Sequence, residues 1–401
     1  MLEGVNVALG VTGSIAAVKT VELAHELRRQ GAEVQGVMTE SAQGIVHPWA
    51  VEFATDNDVV TEITGSVEHV ELCGYDGWAD VFLIAPATAN TVGKIAGAVD
   101  DTPVTTCATT ALGADTPVVI APAMHEPMYD HPGVLEAIET VEEWGVEFVD
   151  PRIEEGKAKI ATEEAIVTDV ARAAGDRPLG GTHVVLTSGA TAESIDPIRV
   201  LTNRSSGQMG RAVAKACYVR GADVTLVHGV VGPRAVTSDA AAFESIPYAT
   251  VQNVESTAEM LAATREACTD ADTLVSAAAI GDYTVEESTE KIRSGQQLTL
   301  ELEPTPKLID EIRAERPELP IVGFKAETSG DETAMVEQAR ETLERAGLAF
   351  VVANDASVMG AEGTKALLVH AEDVARYEGT KAGLGGEIAD SIAAIVGDSQ
   401  P

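Results

Sequence analysis

The first segment with residues suited to binding is the turn Gly10-Val11-Thr12-Gly13-Ser14-Ile15, which joins an apolar run to a helical pattern. Glycine in such a turn lets backbone N–H groups approach a phosphate at the N-terminus of the helix. The turn lacks the GxGxxG spacing of dinucleotide-binding folds. Taken alone, it fits an anion site and a plain tight connection equally well.

Two further loops carry small and polar residues directly after buried apolar runs. They read Ala85-Pro86-Ala87-Thr88-Ala89-Asn90-Thr91 and Ala121-Pro122-Ala123-Met124-His125. Open α/β sheets bind ligands at the carboxyl ends of their parallel strands. Two such loops at comparable positions favour a shared binding site over ordinary strand-to-helix connections.

The C-terminal half has polar segments of its own. The run Thr187-Ser188-Gly189-Ala190-Thr191 ends a strand, and residues 201–210 (LTNRSSGQMG) lead into a helix predicted over Arg211–Arg220. Successive N–H groups and hydroxyls in such a glycine-rich loop can hold phosphate oxygens without many positive charges. The alternative is a capped helix after a long loop, which the density of Asn, Ser and Gly disfavours.

Strand-length apolar runs alternate with helix-length stretches along the whole chain, and runs without polar alternation are typical of parallel strands buried on both faces. The predicted strands are Val5–Leu9, Val34–Met38, Val81–Ala85, Val118–Ala121, His183–Thr187, Val224–His228, Thr273–Ala277, Ile321–Phe324 and Phe350–Ala353. A long helix is predicted over Ile15–Gln30. This rhythm predicts an α/β fold with two tandem Rossmann-like, doubly wound domains, the second with a mostly parallel sheet.

The rhythm breaks between residues 150 and 180, where charged residues and one short helix precede a Pro/Gly-rich exit. We therefore place a domain boundary near Asp176–Gly181 and expect domains over residues 1–175 and 176–401.

The 401 residues include 27 Lys and Arg against 64 Asp and Glu, which gives a formal net charge of −37. Both halves are acidic and lysine is scarce, a pattern typical of adaptation to high salt, where ions screen self-repulsion. Nucleic acid and anionic membranes are disfavoured as partners, because both attract basic patches.

The cysteines are scattered without a CxxC pair, at Cys73, Cys107, Cys217 and Cys268. This distribution favours free thiols in a reducing cytosol. No apolar run reaches the roughly 18 residues of a membrane span, and the N-terminus reads as a first strand rather than a signal peptide. We therefore expect a cytoplasmic protein.

Four motifs in order, GVTGSIAAVK, His69-Val70-Glu71-Leu72, APATANT and PAMHEPMY, resemble the flavin-dependent cysteine decarboxylase family over about residues 4–165. The resemblance implies a flavodoxin-like flavoprotein domain that binds FMN. The FMN contacts that it implies are Thr12, Gly13, Ser14, Thr39, Thr88, Ala89, Asn90, Thr91 and Ala123. His69 matches the family's active-site histidine, whereas on residue type alone it would be read as a capping or surface histidine.

In that family the flavin oxidises a cysteine-derived thiol to a thioaldehyde, which provides an electron sink for the loss of CO₂. A histidine near the flavin can handle a proton or steady the developing anion. His125 stands where the family commonly has an asparagine that contacts the substrate carboxylate, and it can still donate a hydrogen bond.

Bacterial relatives return a proton from a cysteine in a later loop, and the matching residues 154–160 contain no cysteine. Lys157 or Lys159 could be the acid instead. Either lysine could equally contact a phosphate or remain a solvated charge.

The C-terminal half resembles phosphopantothenate–cysteine ligase over about residues 181–395. The motifs that carry the resemblance are residues 187–191, 195–199, 201–210, 276–283, 290–293, 305–307, 323–328 and 353–355. It implies activation of 4′-phosphopantothenate by CTP as an acyl-cytidylate, followed by attack of the cysteine amine. Bacterial ligases have two lysines on the corresponding helix, and here Arg340 and Arg345 stand at shifted places instead. The choice between CTP and ATP as the nucleotide therefore stays open.

The resemblance also gives individual ligase residues a role. Asn203 would contact the acyl intermediate and Lys291 would neutralise phosphate charge, while Asp282 and Phe324 would contact the nucleotide. Further residues implied for the nucleotide pocket are Ser276, Ala277, Ala278, Pro306, Lys307, Leu308 and Ile309. The plainer alternatives are a solvated Lys291, a capping Asp282 and a core Phe324. Mg²⁺ is expected with the triphosphate.

A decarboxylase followed by a ligase is the order found in bifunctional coenzyme A biosynthesis enzymes of bacteria and archaea. The implied substrates are 4′-phosphopantothenate, cysteine and CTP, and relatives assemble as trimers of the flavin domain and dimers of the ligase domain. Two rivals are a nicotinamide dehydrogenase, disfavoured by the missing GxGxxG, and a non-catalytic flavoprotein that regulates a partner. His69 and the complete-looking ligase half argue against the regulator.

Overall fold

A computed structural model describes residues 1–230, 246–295, 297–327, 331–355 and 363–399. The chain divides into two compact units, Met1–Asp176 and Arg177–Pro401. Thr328, part of one ligase motif, lies outside the described residues.

The first unit alternates strands and helices from its first residues. Its strands are β1 (Asn6–Val11), β2 (Glu33–Met38), β3 (Val81–Ala87), β4 (Val118–Pro122), β5 (Met124–His125), β6 (Glu147–Phe148), β7 (Arg152–Glu154) and β8 (Lys157–Lys159). Its helices are α1 (Thr20–Arg29), α2 (Glu40–Gln43), α3 (Pro48–Thr55), α4 (Glu68–Cys73), α5 (Ala89–Ala96), α6 (Pro103–Gly113), α7 (Glu126–Tyr129), α8 (Pro132–Glu142) and α9 (Glu163–Ala174).

Five parallel strands form the central sheet of this unit in the order β2-β1-β3-β4-β6. Every residue of β3 is buried, as expected for a central strand covered on both faces. The strand order reverses between β1 and β3, the point where doubly wound sheets bind ligands. The four predicted strands are confirmed, whereas the predicted helix over Ile15–Gln30 divides into a 3₁₀ turn at Ile15–Lys19 and α1.

The second unit repeats the alternation with a larger sheet. Its strands are β9 (His183–Gly189), β10 (Ala192–Ser194), β11 (Val200–Thr202), β12 (Asp223–Gly229), β13 (Thr250–Val254), β14 (Thr273–Ser276), β15 (Tyr283–Val285), β16 (Leu302–Pro304), β17 (Ile321–Glu327), β18 (Phe350–Asp355), β19 (Gly363–Val369) and β20 (Val374–Thr380). Its helices are α10 (Gln208–Val219), α11 (Thr257–Ala267), α12 (Leu308–Glu315), α13 (Glu332–Ala346) and α14 (Lys381–Ser399).

The main sheet of this unit runs in the order β13-β12-β9-β14-β17-β18-β19-β20. Its first six strands are parallel and have the 3-2-1-4-5-6 order of a Rossmann fold, with the reversal between β9 and β14. Strand β19 pairs antiparallel with β18, and β20 pairs antiparallel with β19. Helices α10 and α14 cover one face, and α11, α12 and α13 cover the other. The predicted α/β class with two doubly wound domains is confirmed.

All four cysteines are buried free thiols. Burial raises the pKa of Cys217 and of Cys268 to about 12. A hydrogen bond with Cys73, together with burial, raises the pKa of Cys107. Among the helices described, none is long and apolar enough to cross a membrane.

Candidate functional site

A cavity of about 350 Å³ opens in the first unit and is lined by residues that follow the carboxyl ends of β1, β2 and β3. Its lining residues are Thr12, Gly13, Thr39, Ser41, Thr88, Asn90, Thr91, Lys94, Thr102 and Thr105. The volume is in the range of small-molecule sites. Hydroxyl groups dominate the lining, so the cavity offers hydrogen bonds with little formal charge.

Helix N-termini supply the electrostatics of this cavity. The Thr88 hydroxyl accepts a hydrogen bond from the Thr91 amide at 3.3 Å and caps α5, and the Thr102 hydroxyl accepts from the Thr105 amide at 3.2 Å and caps α6. The first turn of a helix carries partial positive charge. Two capped helices that begin at one cavity therefore favour an anionic group such as a phosphate.

The turn after β1 is fixed by hydrogen bonds to its neighbours. The Thr12 hydroxyl donates to the Pro86 carbonyl at 2.7 Å, and the Ser14 hydroxyl donates to the Ala123 carbonyl at 3.1 Å. A β-carbon at Gly13 would lie 2.6 Å from the Cβ of Ser41, so this close approach requires glycine. The three loops identified in the sequence therefore meet at one edge of the sheet.

The cavity brings together most of the residues implied for FMN binding: Thr12, Gly13, Thr39, Thr88, Asn90 and Thr91. Ala89 begins α5, and Ser14 contacts Ala123. Sequence reasoning missed Ser41, Lys94, Thr102 and Thr105. The signal for the last two was a threonine three residues before another, with proline between them at the first helical position, which is a capping pattern.

His69 lies in the first turn of α4, outside the cavity lining. Its Nδ1 atom is buried without a hydrogen-bond partner in the described part of the chain. A buried polar atom without a partner is uncommon in folded proteins and calls for an explanation. The carboxylate of the neighbouring Glu68 accepts a hydrogen bond from the Thr64 amide at 2.8 Å. Hydrogen bonds from Thr64 lower the pKa of Glu68. Nδ1 of His69 thus has no hydrogen-bond partner on the protein in the described ranges and would need a small local rearrangement to meet a substrate or water.

A small antiparallel sheet, β5-β8-β7, places His125 directly opposite Lys157. Lys159, two residues on, forms ion pairs with Glu155 at 2.9 Å and Glu154 at 3.0 Å, and hydrogen bonds to these carboxylates raise its pKa. Lys157 is exposed and has no ion pair among the described residues. Of the two lysines considered as an acid, Lys157 is therefore the one with an available ammonium group.

The second site lies at the carboxyl ends of β9 and β14. The Ala278 amide donates to the Thr187 hydroxyl at 3.2 Å and the Ala279 amide to the Gly189 carbonyl at 2.9 Å. The side-chain amide of Asn203 donates to the carbonyls of Ala279 and Ile280, both at 3.2 Å. These bonds hold the Asn203 loop against the end of β14, beside Ser276, Ala277 and Ala278.

The glycine-rich loop ends at Gly207, the N-cap of α10, with a φ of 68°. The Ser188 hydroxyl donates to the Gly207 carbonyl at 3.0 Å, and a β-carbon at Gly207 would lie 2.8 Å from both Ser188 Oγ and His228 Cε1. His228 was not identified from the sequence as a site residue. Its Nδ1 is buried with no partner among the described residues, and burial together with Arg211 lowers its pKa.

The residues implied for nucleotide binding do not all present their side chains to a ligand. Asp282 and Lys307 form an ion pair at 2.5 Å, and the Thr305 amide donates to the Asp282 carbonyl at 3.0 Å, which brings residues 305–307 beside residues 281–283. Leu308 instead packs in the hydrophobic core with 3% exposure, so only its backbone is available to a ligand.

The remaining residues of this set vary in burial. Ile309 and Phe324 are partly buried against the core. Pro306 lies within the 305–307 segment. Lys291 is exposed in the irregular segment between β15 and β16 and has no hydrogen bond or ion pair among the residues described.

A second cavity of about 300 Å³ in this unit contains none of the predicted residues. Its charged lining is acidic, from Glu193, Glu255, Glu259 and Glu287. Such a lining repels a triphosphate. Over the described ranges, no group of three or more His, Cys, Asp or Glu side chains is arranged to hold a metal ion.

The sequence matches two family models, one after the other along the chain. The Flavoprotein family covers residues 1–175, and the DNA/pantothenate metabolism flavoprotein C-terminal domain covers residues 179–396. Among solved structures, the FMN-dependent cysteine decarboxylase SpaF is 32% identical, with a TM-score of 0.39, and covers 44% of this chain and 100% of its own.

Two archaeal relatives match nearly the whole chain. The coenzyme A biosynthesis bifunctional protein CoaBC of Thermococcus kodakarensis is 50% identical over 375 residues, which is 92% of this chain and 89% of that protein. The protein of the same name in Methanocaldococcus jannaschii is 34% identical over 400 residues, which is 99% of this chain and 95% of that protein. The chain therefore belongs to the family of coenzyme A biosynthesis bifunctional proteins CoaBC.

Proposed function

We propose that this chain couples cysteine to 4′-phosphopantothenate and then decarboxylates the product to 4′-phosphopantetheine. Residues 1–175 act as the decarboxylase domain and residues 176–401 as the ligase domain. The observation that carries the proposal is the match to the two-domain family, at 50% identity over 375 residues, which is 92% of this chain. The cavity of the first unit supplies one site, and the Asn203 loop of the second unit supplies the other.

The cavity of the first unit fits FMN. Its hydroxyls and the N-termini of α5 and α6 suit a phosphate, and Gly13 leaves room for close approach of the backbone. The residues that hold the cofactor are Thr12, Gly13, Ser14, Thr39, Thr88, Ala89, Asn90, Thr91 and Ala123. Bound there, FMN supplies the two-electron oxidation of the substrate thiol that makes decarboxylation feasible.

Three side chains handle the substrate of the decarboxylase. His69 holds or moves a proton at Nδ1, the atom that has no protein partner. His125 donates a hydrogen bond to the substrate carboxylate, and Lys157, opposite it on β8, returns a proton at the end of the reaction. Nδ1 of His69 and the ammonium group of Lys157 have no hydrogen-bond or ion-pair partner among the described residues.

The ligase proceeds through a mixed anhydride. An oxygen of the 4′-phosphopantothenate carboxylate forms a bond to the α-phosphorus of CTP, and pyrophosphate leaves. The cysteine amine then attacks the acyl carbon, loses a proton and displaces CMP, which completes the amide. Asn203 contacts the acyl intermediate and Lys291 neutralises phosphate charge.

The nucleotide lies near the two adjacent segments that contain Asp282 and Lys307. Phe324 contacts its base or ribose, and the pocket is completed by Ser276, Ala277, Ala278, Pro306, Leu308 and Ile309. Mg²⁺ accompanies the triphosphate, because the net charge of −37 would otherwise repel it.

We also propose a homo-oligomer, with trimeric contacts of the flavin domain and dimeric contacts of the ligase domain. We place the protein in the cytoplasm, where four buried free thiols stay reduced.

The test is product mass spectrometry with the purified full chain in high salt. The mixture contains 4′-phosphopantothenate, cysteine and Mg²⁺, with CTP in one tube and ATP in a parallel one. We expect 4′-phosphopantetheine and CMP. Phosphopantothenoylcysteine alone, from FMN-loaded protein, would contradict the decarboxylase assignment, and no product with either nucleotide would favour the regulatory flavoprotein.

A further inference from the structure

Asp196, in the loop between β10 and β11, holds a carboxylate that is 0% exposed. Its Oδ1 accepts the amides of Ile198 and Arg199, both at 2.9 Å. Its Oδ2 accepts the Arg199 guanidinium at 2.7 Å and the Ile292 amide at 3.1 Å. Burial opposes ionisation, but the backbone hydrogen bonds and Arg199 outweigh it, so the pKa of Asp196 lies below its ordinary value. The site is thus a satisfied buried charge.

Two further hydrogen bonds join the same two segments. The Ser288 amide donates to the Ile195 carbonyl at 3.0 Å, and the Arg199 guanidinium donates to the Ile292 carbonyl at 3.1 Å. The backbone is therefore fixed at residue 288 and again at residue 292. Lys291 lies between these two points, in a segment that has no regular secondary structure.

The fixed backbone matters because the protein is so acidic. With 64 carboxylate side chains in the chain, a lysine on a loose segment would find many competing anions. Lys291 has no ion pair in the described ranges although its ammonium group is exposed. A tethered main chain limits where that ammonium group can reach and reduces the entropy lost when it meets a phosphate.

We infer that Asp196 is a positioning residue for nucleotide binding, which fixes the backbone around Lys291 and so directs the ammonium group to the phosphates of the nucleotide. This inference rests on the proposed ligase function. Asp196 itself is too deeply buried to touch the ligand. Its effect on the nucleotide is therefore indirect, and the Ile292 amide that it holds is next to Lys291 in the chain.

The test is a double-mutant cycle on the full chain, with the Kd of Mg²⁺·CTP measured by calorimetry. Asp196→Asn keeps the shape of the side chain and removes its charge, and we expect a loss of affinity of about tenfold or more. Lys291→Met should lose a similar factor. The double variant should bind no more weakly than Lys291→Met alone, because coupled residues are not additive.

Asp272→Asn is the matched control. Its carboxylate also accepts a backbone amide, that of His183 at 2.8 Å, but at the opposite end of β9 from the site. Its Kd should be unchanged. Additive losses in the cycle would overturn the inference, since Asp196 would then act on the fold rather than through Lys291.

Hydrogen exchange measured by mass spectrometry separates this result from failure of the proposed function. Asp196→Asn should speed exchange of the peptide that contains residues 288–292 and leave the strands of the sheet protected. Unchanged exchange there would overturn the inference independently of any ligand. Wild-type protein that binds neither CTP nor ATP, with the peptide protected, would overturn the ligase proposal and with it the role of Asp196 in nucleotide binding.

Discussion

At the scale of single residues, two histidines share an unusual property. His69 in the first unit and His228 in the second each have a buried Nδ1 with no hydrogen-bond partner in the described structure. Folded proteins pair nearly all such atoms, because an orphaned polar group costs about 1–3 kcal/mol. One histidine lies in the decarboxylase motif and the other beside the glycine-rich loop, so both orphaned atoms belong to regions implicated in ligand binding.

Replacement of His69 should separate the two activities. In His69→Asn we expect decarboxylation of 4′-phospho-N-pantothenoylcysteine to slow about 100-fold or more, the usual contribution of a general acid or base. Ligation should continue at the wild-type rate. Both rates are measured by mass spectrometry, with flavin content read from absorbance.

His131→Asn is the control for that change. His131 caps α8 by accepting the Gly133 amide at 3.1 Å, and asparagine is an equally good cap. Both activities should persist in this variant. Unimpaired decarboxylation in flavin-loaded His69→Asn would remove His69 from the mechanism.

His228 should titrate below its ordinary pKa of 6.5, because burial and then Arg211 disfavour the charged ring. The unfolded chain therefore binds this proton more readily than the folded protein. Stability contributed by the neutral ring is present above pH 6.5 and is lost as the pH falls from 6.5 through the lower pKa of the folded state. NMR of histidine-labelled protein measures the midpoint, and His228→Gln identifies the signal among eight histidines. A midpoint at or above 6.5 would contradict the burial of the ring.

At the scale of elements, the first site depends on where helices begin. The hydroxyls of Thr88 and Thr102 cap α5 and α6, and the same residues line the cavity. Each cap satisfies one amide of the first turn, that of Thr91 in α5 and that of Thr105 in α6. Strand order then decides which loops meet, because β1 and β3 are adjacent at the reversal of the sheet.

The turn after β1 should tolerate no side chain at Gly13. In Gly13→Ala the added methyl group would collide with Ser41 and shift the turn away from the cavity. We expect purified protein to lose most of its bound flavin, measured from its visible absorbance, while ligation remains.

Gly93→Ala provides the comparison within the same unit. Nothing lies within 4 Å of a β-carbon at Gly93, and alanine favours helix α5. This variant should retain its flavin. Full flavin content in Gly13→Ala would show that the close contact with Ser41 is not required.

At the scale of the whole molecule, charge is the dominant feature. The net charge of −37 is spread over both halves, and most of the ion pairs found among the described residues are exposed. Exposed pairs contribute little to stability and do not offset the repulsion between unpaired carboxylates. Screening by dissolved ions should therefore be part of what keeps the protein folded.

Salt should stabilise this protein strongly. Between 0.2 M and 2 M KCl the Debye length falls from about 7 Å to about 2 Å, so most repulsion between surface carboxylates is screened. We expect the thermal midpoint in calorimetry to rise across this series. Equal osmolality supplied by glycerol is the control and should give a smaller rise. A midpoint that stays flat or falls with KCl would contradict adaptation to high salt.

The sequence alone determined the α/β class, the central parallel strands and the motifs of both sites, because consecutive apolar runs and glycine or proline loops are local signals. It did not reveal β5, β6, β7 or β8, since strands of two or three residues have no periodicity to detect. The antiparallel strands β19 and β20 were also missed. Local pattern thus predicted the central elements better than the edges.

Tertiary structure decided which residues meet. Thr102 and Thr105 reach the cavity because α6 begins beside the β1–β3 reversal, and Asp196 meets Ile292, 96 residues along the chain, through a buried carboxylate. Burial also distinguished Leu308, which packs in the core, from the exposed Lys291. Such contacts join segments remote in sequence and depend on strand order and burial, which single-sequence patterns do not encode.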